Sequence, residues 1–363
     1  MEYLKLSDCA EYRSSRTKQI DFETYITTDN MLPDRAGITL VESLPDTKTV
    51  SKYLPKDILL SNIRPYFKKI WIANREGGCS NDVLVIKAKS NIYPEFLYYV
   101  LSDNNFFNYD TVTSKGTKMP RGTPSAIMKY LVPNFDKEQQ QKIVSILSNY
   151  DNLIEVNNKR IKVLEQMAEN LYKEWFVRFR FPGYQTTEFE NGIPKGWKYC
   201  KLKALLDIRY GKDHKSLDDG IIPVFGSGGI MRFANKALYS KESVMIPRKG
   251  TLNNIIYYNG PFWTVDTMFY SVPLIEHFAK YAFYTLASID MESYNSGAAL
   301  PSMTTDILYH LKILVPDSKT LKLFDNFISV IFEQKTALQK LTENLIKQRD
   351  LLLPRLMSGK LEV

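Results

Sequence analysis

Ile143-Val-Ser-Ile-Leu147-Ser-Asn-Tyr150-Asp-Asn-Leu-Ile154-Glu-Val-Asn157-Asn-Lys-Arg-Ile161-Lys-Val-Leu164-Glu-Gln-Met-Ala168-Glu-Asn-Leu171-Tyr-Lys-Glu-Trp175 is the stretch from which the fold is read. The numbered residues form a seam whose steps alternate between four and three. That period of 3.5 marks a helix laid against a second helix rather than a lone surface helix. Asn157 is the one clearly polar seam residue, the type that fixes register at some cost in stability. No Pro or Gly interrupts residues 136–178, and Pro182-Gly183 ends them. At 1.5 Å per residue the helix spans roughly 65 Å, more than an ordinary core helix needs. It reads as a spacer that requires a partner.

The partner is at the other end of the chain. From Leu321 to about Leu353 a seam runs Phe324, Phe327, Ile331, Gln334, Leu338, Leu341, Leu345, Gln348 and Leu352. The two stretches also share sequence: Leu164-Glu-Gln-Met-Ala-Glu-Asn-Leu-Tyr-Lys173 lies over Leu338-Gln-Lys-Leu-Thr-Glu-Asn-Leu-Ile-Lys347, an offset of 174 residues. Solenoid units recur every 20–50 residues, so this is a duplicated half: globular domain, long helix, globular domain, long helix. The boundaries fall at residues 1–135, 136–180, 181–320 and 321–363.

The ends of each half repeat in order. Tyr3-Leu-Lys-Leu6 matches Tyr199-Cys-Lys-Leu202; Lys115-Gly-Thr-Lys-Met-Pro120 matches Ser296-Gly-Ala-Ala-Leu-Pro301; Lys129-Tyr-Leu-Val-Pro133 matches Lys312-Ile-Leu-Val-Pro316. Between them, β-rich runs are expected at 57–61, 70–73 and 83–87, and again at 244–247, 255–258 and 268–272. A helix is expected in each half, near 94–106 and 278–286. The interiors differ strongly, as when one scaffold carries unlike loops to unlike targets.

The chain has 363 residues, 44% hydrophobic and 24% charged, which places it among globular proteins of two or more domains. A formal charge of +8 favours a polyanionic partner, nucleic acid first. Three scattered cysteines fit a reducing cytoplasm better than a disulfide framework or zinc site. No signal peptide or membrane-spanning run is expected.

Motifs for catalysis are missing. There is no Gly-x-x-x-x-Gly-Lys-Ser/Thr loop for ATP, no Asn-Pro-Pro-Phe/Tyr or Asp-Pro-Pro-Tyr run for amino-methylation, and no Gly-x-Ser-x-Gly. Gly226-Ser-Gly-Gly229 lacks the spacing of a dinucleotide loop and reads as a turn. Asp213-His-Lys215 and Asp317-Ser-Lys319 have a nuclease-like Asp-x-Lys form that arises by chance in Lys-rich chains, and His214, His277 and His310 are scattered. Trp197 and Trp263 read as core.

Basic clusters in loop-like stretches carry more. In the first half they are Arg13, Arg16 and Lys18; Arg64, Tyr66, Lys68 and Lys69; and Lys115, Lys118 and Arg121. In the second they are Arg209, Lys212 and Lys215; Arg232 and Lys236; and Arg248 and Lys249. Such side chains neutralise phosphates and release counterions, while Arg reads guanine and Asn reads adenine through paired hydrogen bonds. Asn253 and Asn254 are candidate readers of that kind, and Ser227 joins the candidate DNA contacts.

On these residues the chain resembles the specificity subunit of type I restriction–modification systems. The resemblance rests on Pro194-Lys-Gly-Trp197, Ile222-Pro-Val-Phe-Gly-Ser-Gly-Gly-Ile-Met231, Ile246-Pro-Arg-Lys-Gly-Thr-Leu-Asn-Asn-Ile-Ile256 and Gly260-Pro-Phe-Trp-Thr-Val-Asp-Thr-Met-Phe269. Two further stretches are Trp175-Phe-Val-Arg-Phe-Arg-Phe-Pro182 and Leu351-Leu-Leu-Pro-Arg-Leu-Met-Ser-Gly-Lys-Leu-Glu362. It implies an α/β (α+β) fold of two pseudo-symmetric target-recognition domains separated by two long antiparallel helices forming a coiled coil. It also implies a non-catalytic role. Each domain would read one half of a bipartite, asymmetric site on double-stranded DNA, and the helices would set the gap and dock two methyltransferase subunits. Two restriction subunits would complete the enzyme, with S-adenosylmethionine, ATP and Mg2+ on those partners and none here. The alternatives are a self-contained DNA nuclease or methyltransferase, which the missing motifs oppose, and a coiled-coil adaptor without a DNA role, which the basic loops oppose.

Overall fold

The computed structural model describes residues 2–295 and 301–361. The chain divides into two compact units, Met1–Asn158 with Lys340–Val363, and Lys159–Gln339. Each long helix is thus shared by both units, rather than forming a module of its own.

The first long helix runs Lys137–Tyr172 and passes into a π-helical turn, Lys173–Val177. A reciprocal cap starts it: the Gln139 amide donates to Asp136 Oδ1 at 2.8 Å, and the Asp136 amide donates to Gln139 Oε1 at 3.3 Å. The second runs Ser318–Met357, through Pro354. Asp317 caps it by accepting from the Thr320 amide and hydroxyl, and it also accepts from Trp197 Nε1 at 3.1 Å. The Asp317-Ser-Lys319 triplet is therefore a helix start. Trp197 and Trp263 are core residues, as read from sequence.

The first seam is as expected. Ile143, Leu147, Asn157, Ala168 and Trp175 are buried, and Tyr150, Ile154, Ile161, Leu164 and Leu171 are half-buried. The second seam corrects the sequence reading at alternate positions. Phe324, Ile331, Leu338, Leu345 and Leu352 face inward, but Phe327 and Leu341 are 52% and 49% exposed. The inward residues between them are Ile328, Lys335, Thr342 and Arg349. Lys335 pairs with Glu165 at 2.7 Å and Arg349 with Asp151 at 2.7 Å, so cations satisfied across the helices face inward where the seam places their neighbours Gln334 and Gln348, both of which are exposed.

The two helices are antiparallel in each unit. In the first unit, Ile143 and Leu147 share a core with Leu353, Leu356 and Met357, and Asp151, further along, meets the earlier Arg349. In the second, Trp175 packs on Phe324 at 5.8 Å while the earlier Glu165 meets the later Lys335.

The globular parts confirm the duplication strand by strand. Tyr3–Lys5 pairs antiparallel with Leu131–Pro133, and Lys198–Lys201 with Lys312–Val315. Each unit then has a four-stranded antiparallel sheet of the same order. In the first it is Ala10–Tyr12, Val83–Ala88, Ile58–Ser61, Ile70–Ile72; in the second Leu206–Tyr210, Met268–Pro273, Ser243–Pro247, Ile256–Tyr258. A helix follows, Pro94–Ser102 or Ala279–Ala287. The first is shorter than expected because extended Asp103 breaks it and caps a new helix, Asn104–Thr113.

The remaining sheets are where the units diverge. The first unit has Arg16–Thr17, Val50–Tyr53, Gly77–Cys79, Tyr25–Ile26; the second has Gly229–Ala234, Asp219–Gly226, Trp263–Thr264.

A buried polar anchor ties each globular part to a long helix at positions 174 residues apart. Tyr99 donates to Asp151 at 2.7 Å, and Lys280 donates to Asp325 at 2.8 Å.

Candidate nucleic-acid interface

In the first unit, the segment leaving strand Ile58–Ser61 is clasped to the loop before Pro124. The Arg64 amide donates to the Pro120 carbonyl at 2.8 Å, the Gly122 amide donates to the Asn62 carbonyl at 3.0 Å, and Ile63 bridges Arg121. In the second unit, the segment leaving Ser243–Pro247 makes the same three contacts. The Gly250 amide donates to Pro301 at 3.1 Å, the Met303 amide donates to Arg248 at 2.8 Å, and Lys249 bridges Ser302. Asn62-Ile63-Arg64 thus stands where the other unit has Arg248-Lys249-Gly250. The Pro120–Pro301 match read from sequence holds; positions 296–300 of that loop lie outside the described residues.

The third clasp position is left-handed in both units, φ 84 at Gly250 and φ 51 at Arg64. Gly adopts this freely, whereas Arg pays roughly 1–2 kcal/mol. The Arg64 turn is held by its bond to Pro120 and by the Phe67 amide donating to the Arg64 carbonyl at 2.9 Å. On this turn Tyr66 and Phe67 are exposed and packed together at 4.8 Å, with the Arg64 guanidinium 6.0 Å from the Phe67 ring. Lys115 and Arg121 pair through both backbone groups, which carries exposed Lys118 on the same loop. Two of the three basic clusters of this unit are therefore brought together.

Beneath the clasp lies Asp110, fully buried, and neither carboxylate oxygen has a hydrogen-bond partner among the described residues. A Cβ on Gly122 would fall 2.6 Å from Asp110 Oδ1 and 2.8 Å from Asn62 Oδ1, so only glycine fits between strand end and carboxyl. Burial pushes the Asp110 carboxyl up to about 7. The folded state therefore holds its proton more tightly than the unfolded chain does. The stability this group contributes is full below about pH 4 and is lost as pH rises through about 7. Asp110→Asn should remove that loss, stabilising the first unit by about 2–4 kcal/mol at pH 8 and little at pH 4. Melting curves of both proteins across this range test it; parallel pH profiles would refute the assignment.

In the second unit the clasp joins a hairpin turn. Asn254 Nδ2 donates to the Ser227 carbonyl at 2.7 Å, which draws Gly226-Ser-Gly-Gly229 against Arg248 and Lys249. Arg248 lies 5.4 Å from the ring of exposed Tyr210 and donates to the Asp266 carbonyl at 3.2 Å. Trp263 donates to the Lys212 carbonyl, leaving the Lys212 side chain exposed.

A family model for the type I restriction modification DNA specificity domain matches twice, over residues 5–166 and 194–348. The chain belongs to this specificity family. It is 26% identical over 343 residues to the specificity subunit of type I restriction enzyme MjaIX of Methanocaldococcus jannaschii, covering 86% of this chain and 79% of that one. It is 22% identical over 461 residues to the HindI specificity subunit of Haemophilus influenzae, covering 98% of this chain and all of that one. The fold is similar to the crystal structure of the type I restriction–modification S subunit from M. genitalium, with a TM-score of 0.61 at 15% identity, over 98% of this chain and 96% of that one.

Within this specificity chain, several residues read as DNA contacts from sequence have other work. Arg13 has a structural partner: Nε and Nη2 donate to the two oxygens of buried Asp57 at 2.5 and 2.9 Å, which stabilises the core and leaves one terminal nitrogen outside the pair. Asn253 is also engaged within the chain: its Nδ2 donates to Asp290 and its Oδ1 accepts from the Met291 amide, which leaves one N–H and one oxygen lone pair of this exposed amide. Arg16 is tied to Thr49, and exposed Lys18 lies on the same edge; neither shares the clasp. Arg209 pairs with Asp207, Arg232 with Asp219 and Arg121 with Asp82, all near the surface. Lys68 donates to Asn104 and Lys69 to the Thr28 carbonyl. Asn62 and Tyr210 were not singled out by sequence reasoning. The register of Ser61 against Pro247 at the two strand ends is the signal that finds Asn62. Among the described residues, no group of His, Cys, Asp and Glu could hold a metal, and no helix is long and apolar enough to cross a membrane.

Proposed function

We propose that this chain is the DNA-recognition subunit of a type I restriction–modification complex, its two globular units each reading one half of a bipartite, asymmetric site. One observation carries the reading: two copies of one fold present the same backbone clasp with different side chains, Asn62-Ile63-Arg64 and Arg248-Lys249-Gly250. A shared frame with unlike readers is what two different half-sites require. The long helices set the unread gap and dock two methyltransferase subunits, and two ATP-driven restriction subunits complete the assembly. S-adenosylmethionine, ATP and Mg2+ belong to those partners. The complex works where the DNA lies, in the cytoplasm.

The test is Arg248→Ala. Removing one guanidinium able to read guanine or hold a phosphate should cost about 1–3 kcal/mol of binding and relax recognition in one half-site only. Equal loss at both half-sites, measured by selection from a random duplex pool, would contradict the two-reader account.

A further inference from the structure

The hairpin Asp219–Gly226 with Gly229–Ala234 exposes an unusual run of apolar side chains. Ile221 is 90% exposed, Ile230 53%, Met231 59% and Phe233 49%. Strand Gly229–Ala234 is the outer strand of its sheet. Val224 faces Arg232 and Phe225 faces Ile230, so Met231 is an extra residue in a β-bulge. A bulge interrupts the ladder on an edge strand, so adding a partner strand there is disfavoured and the side chains themselves are left as the contact.

The tip of this hairpin is continuous with the cationic clasp. Ser227 accepts from Asn254, and a Cβ on Gly250 would fall 3.0 Å from Ser227 Oγ. The segment that carries Arg248 and Lys249 is therefore held against the turn that leads into Ile230 and Met231. An apolar tip with a cationic segment beside it matches a surface that is anionic at its rim and carries an apolar group within. The DNA major groove has that form: phosphates border it, a two-stranded ribbon fits it, and the thymine C5-methyl is the apolar group on its floor.

We propose that Ile230 and Met231 read thymine in one half-site through its C5-methyl group. This rests on the DNA-recognition reading above. Arg248 and Lys249 hold the backbone or guanine, and the hairpin tip supplies discrimination between thymine and cytosine.

The experiment uses the full chain and duplexes selected from a random pool. Each thymine of the recovered site is replaced singly by deoxyuridine, which removes the methyl and keeps the pairing. Wild type should bind one or two such duplexes in a single half-site about fourfold more weakly, the size expected for one methyl group. The double variant Ile230→Ser, Met231→Ser should bind thymine and deoxyuridine duplexes alike there and still respond to the other half-site. Equal wild-type affinity for every deoxyuridine duplex would overturn the assignment, as would a variant that keeps the wild-type profile or a half-site without thymine. Failure to select any duplex would sink the DNA-recognition reading itself, and this assignment with it.

Discussion

Lengthening both long helices by one heptad, between Asn158 and Lys159 and between Gln339 and Lys340, should lengthen the unread gap by about three base pairs. Seven residues add about 10.5 Å of helix, and one base step is about 3.4 Å. The insertion points are where the chain divides between units, so neither folded unit is cut. A heptad keeps the four–three seam in phase, and adding it to both helices keeps Asp151 opposite Arg349 and Glu165 opposite Lys335. Insertion in one helix alone should instead break this pairing and abolish assembly. Sequencing the methylated motif of each strain gives the gap directly. A gap unchanged by the double insertion would show that the helices are not the ruler.

Lys280→Met should destabilise the second unit by about 3–5 kcal/mol, lowering its melting temperature by roughly 10 °C. Lys280 is 8% exposed and donates to Glu242 at 2.6 Å and Asp325 at 2.8 Å. Burial pulls its pKa down, but hydrogen bonds with Asp325 and Glu242 outweigh burial and raise it, so the ammonium stays charged. Tyr257 completes the network on Glu242 and His277 on Asp325. Met fills the space yet leaves two carboxylates half-buried without their cation, which is why the loss exceeds that of any surface pair. Exposed Lys236→Met is the control and should change stability by less than about 0.5 kcal/mol. A Lys280→Met chain as stable as that control would show the network to be inert.

Much of the scaffold was legible because it is periodic. Every first-helix seam residue falls on the inward face, and the strand runs at 58–61, 70–72 and 83–88 recur at 243–247, 256–258 and 268–273. The second seam slipped at Phe327 and Leu341 because their neighbours Ile328 and Thr342 are inward, and at Gln334 and Gln348 because Lys335 and Arg349 are inward. A hydrophobic period alone cannot place a cation on the inward face; that needs the partner, and Asp151 lies 198 residues from Arg349. Separation in sequence also hid the role of Arg13, whose carboxylate sits 44 residues away. Asp110 was invisible for a different reason: its helix, Asn-Asn-Phe-Phe-Asn-Tyr-Asp-Thr-Val-Thr, reads as polar, and only the fold places Gly122 over the carboxyl. The clasp joins segments 56–60 residues apart in the first half and 51–55 in the second, so its matching bonds appear only once both sheets are built.

The most direct test of two readers on one chain is the adenine methylome of a host strain with this gene intact and deleted. The account predicts that deletion removes one bipartite, asymmetric motif with a fixed gap and leaves other motifs unchanged. Loss of a continuous or palindromic motif, or no dependence of any methylated motif on this gene in a strain expressing its methyltransferase, would contradict it.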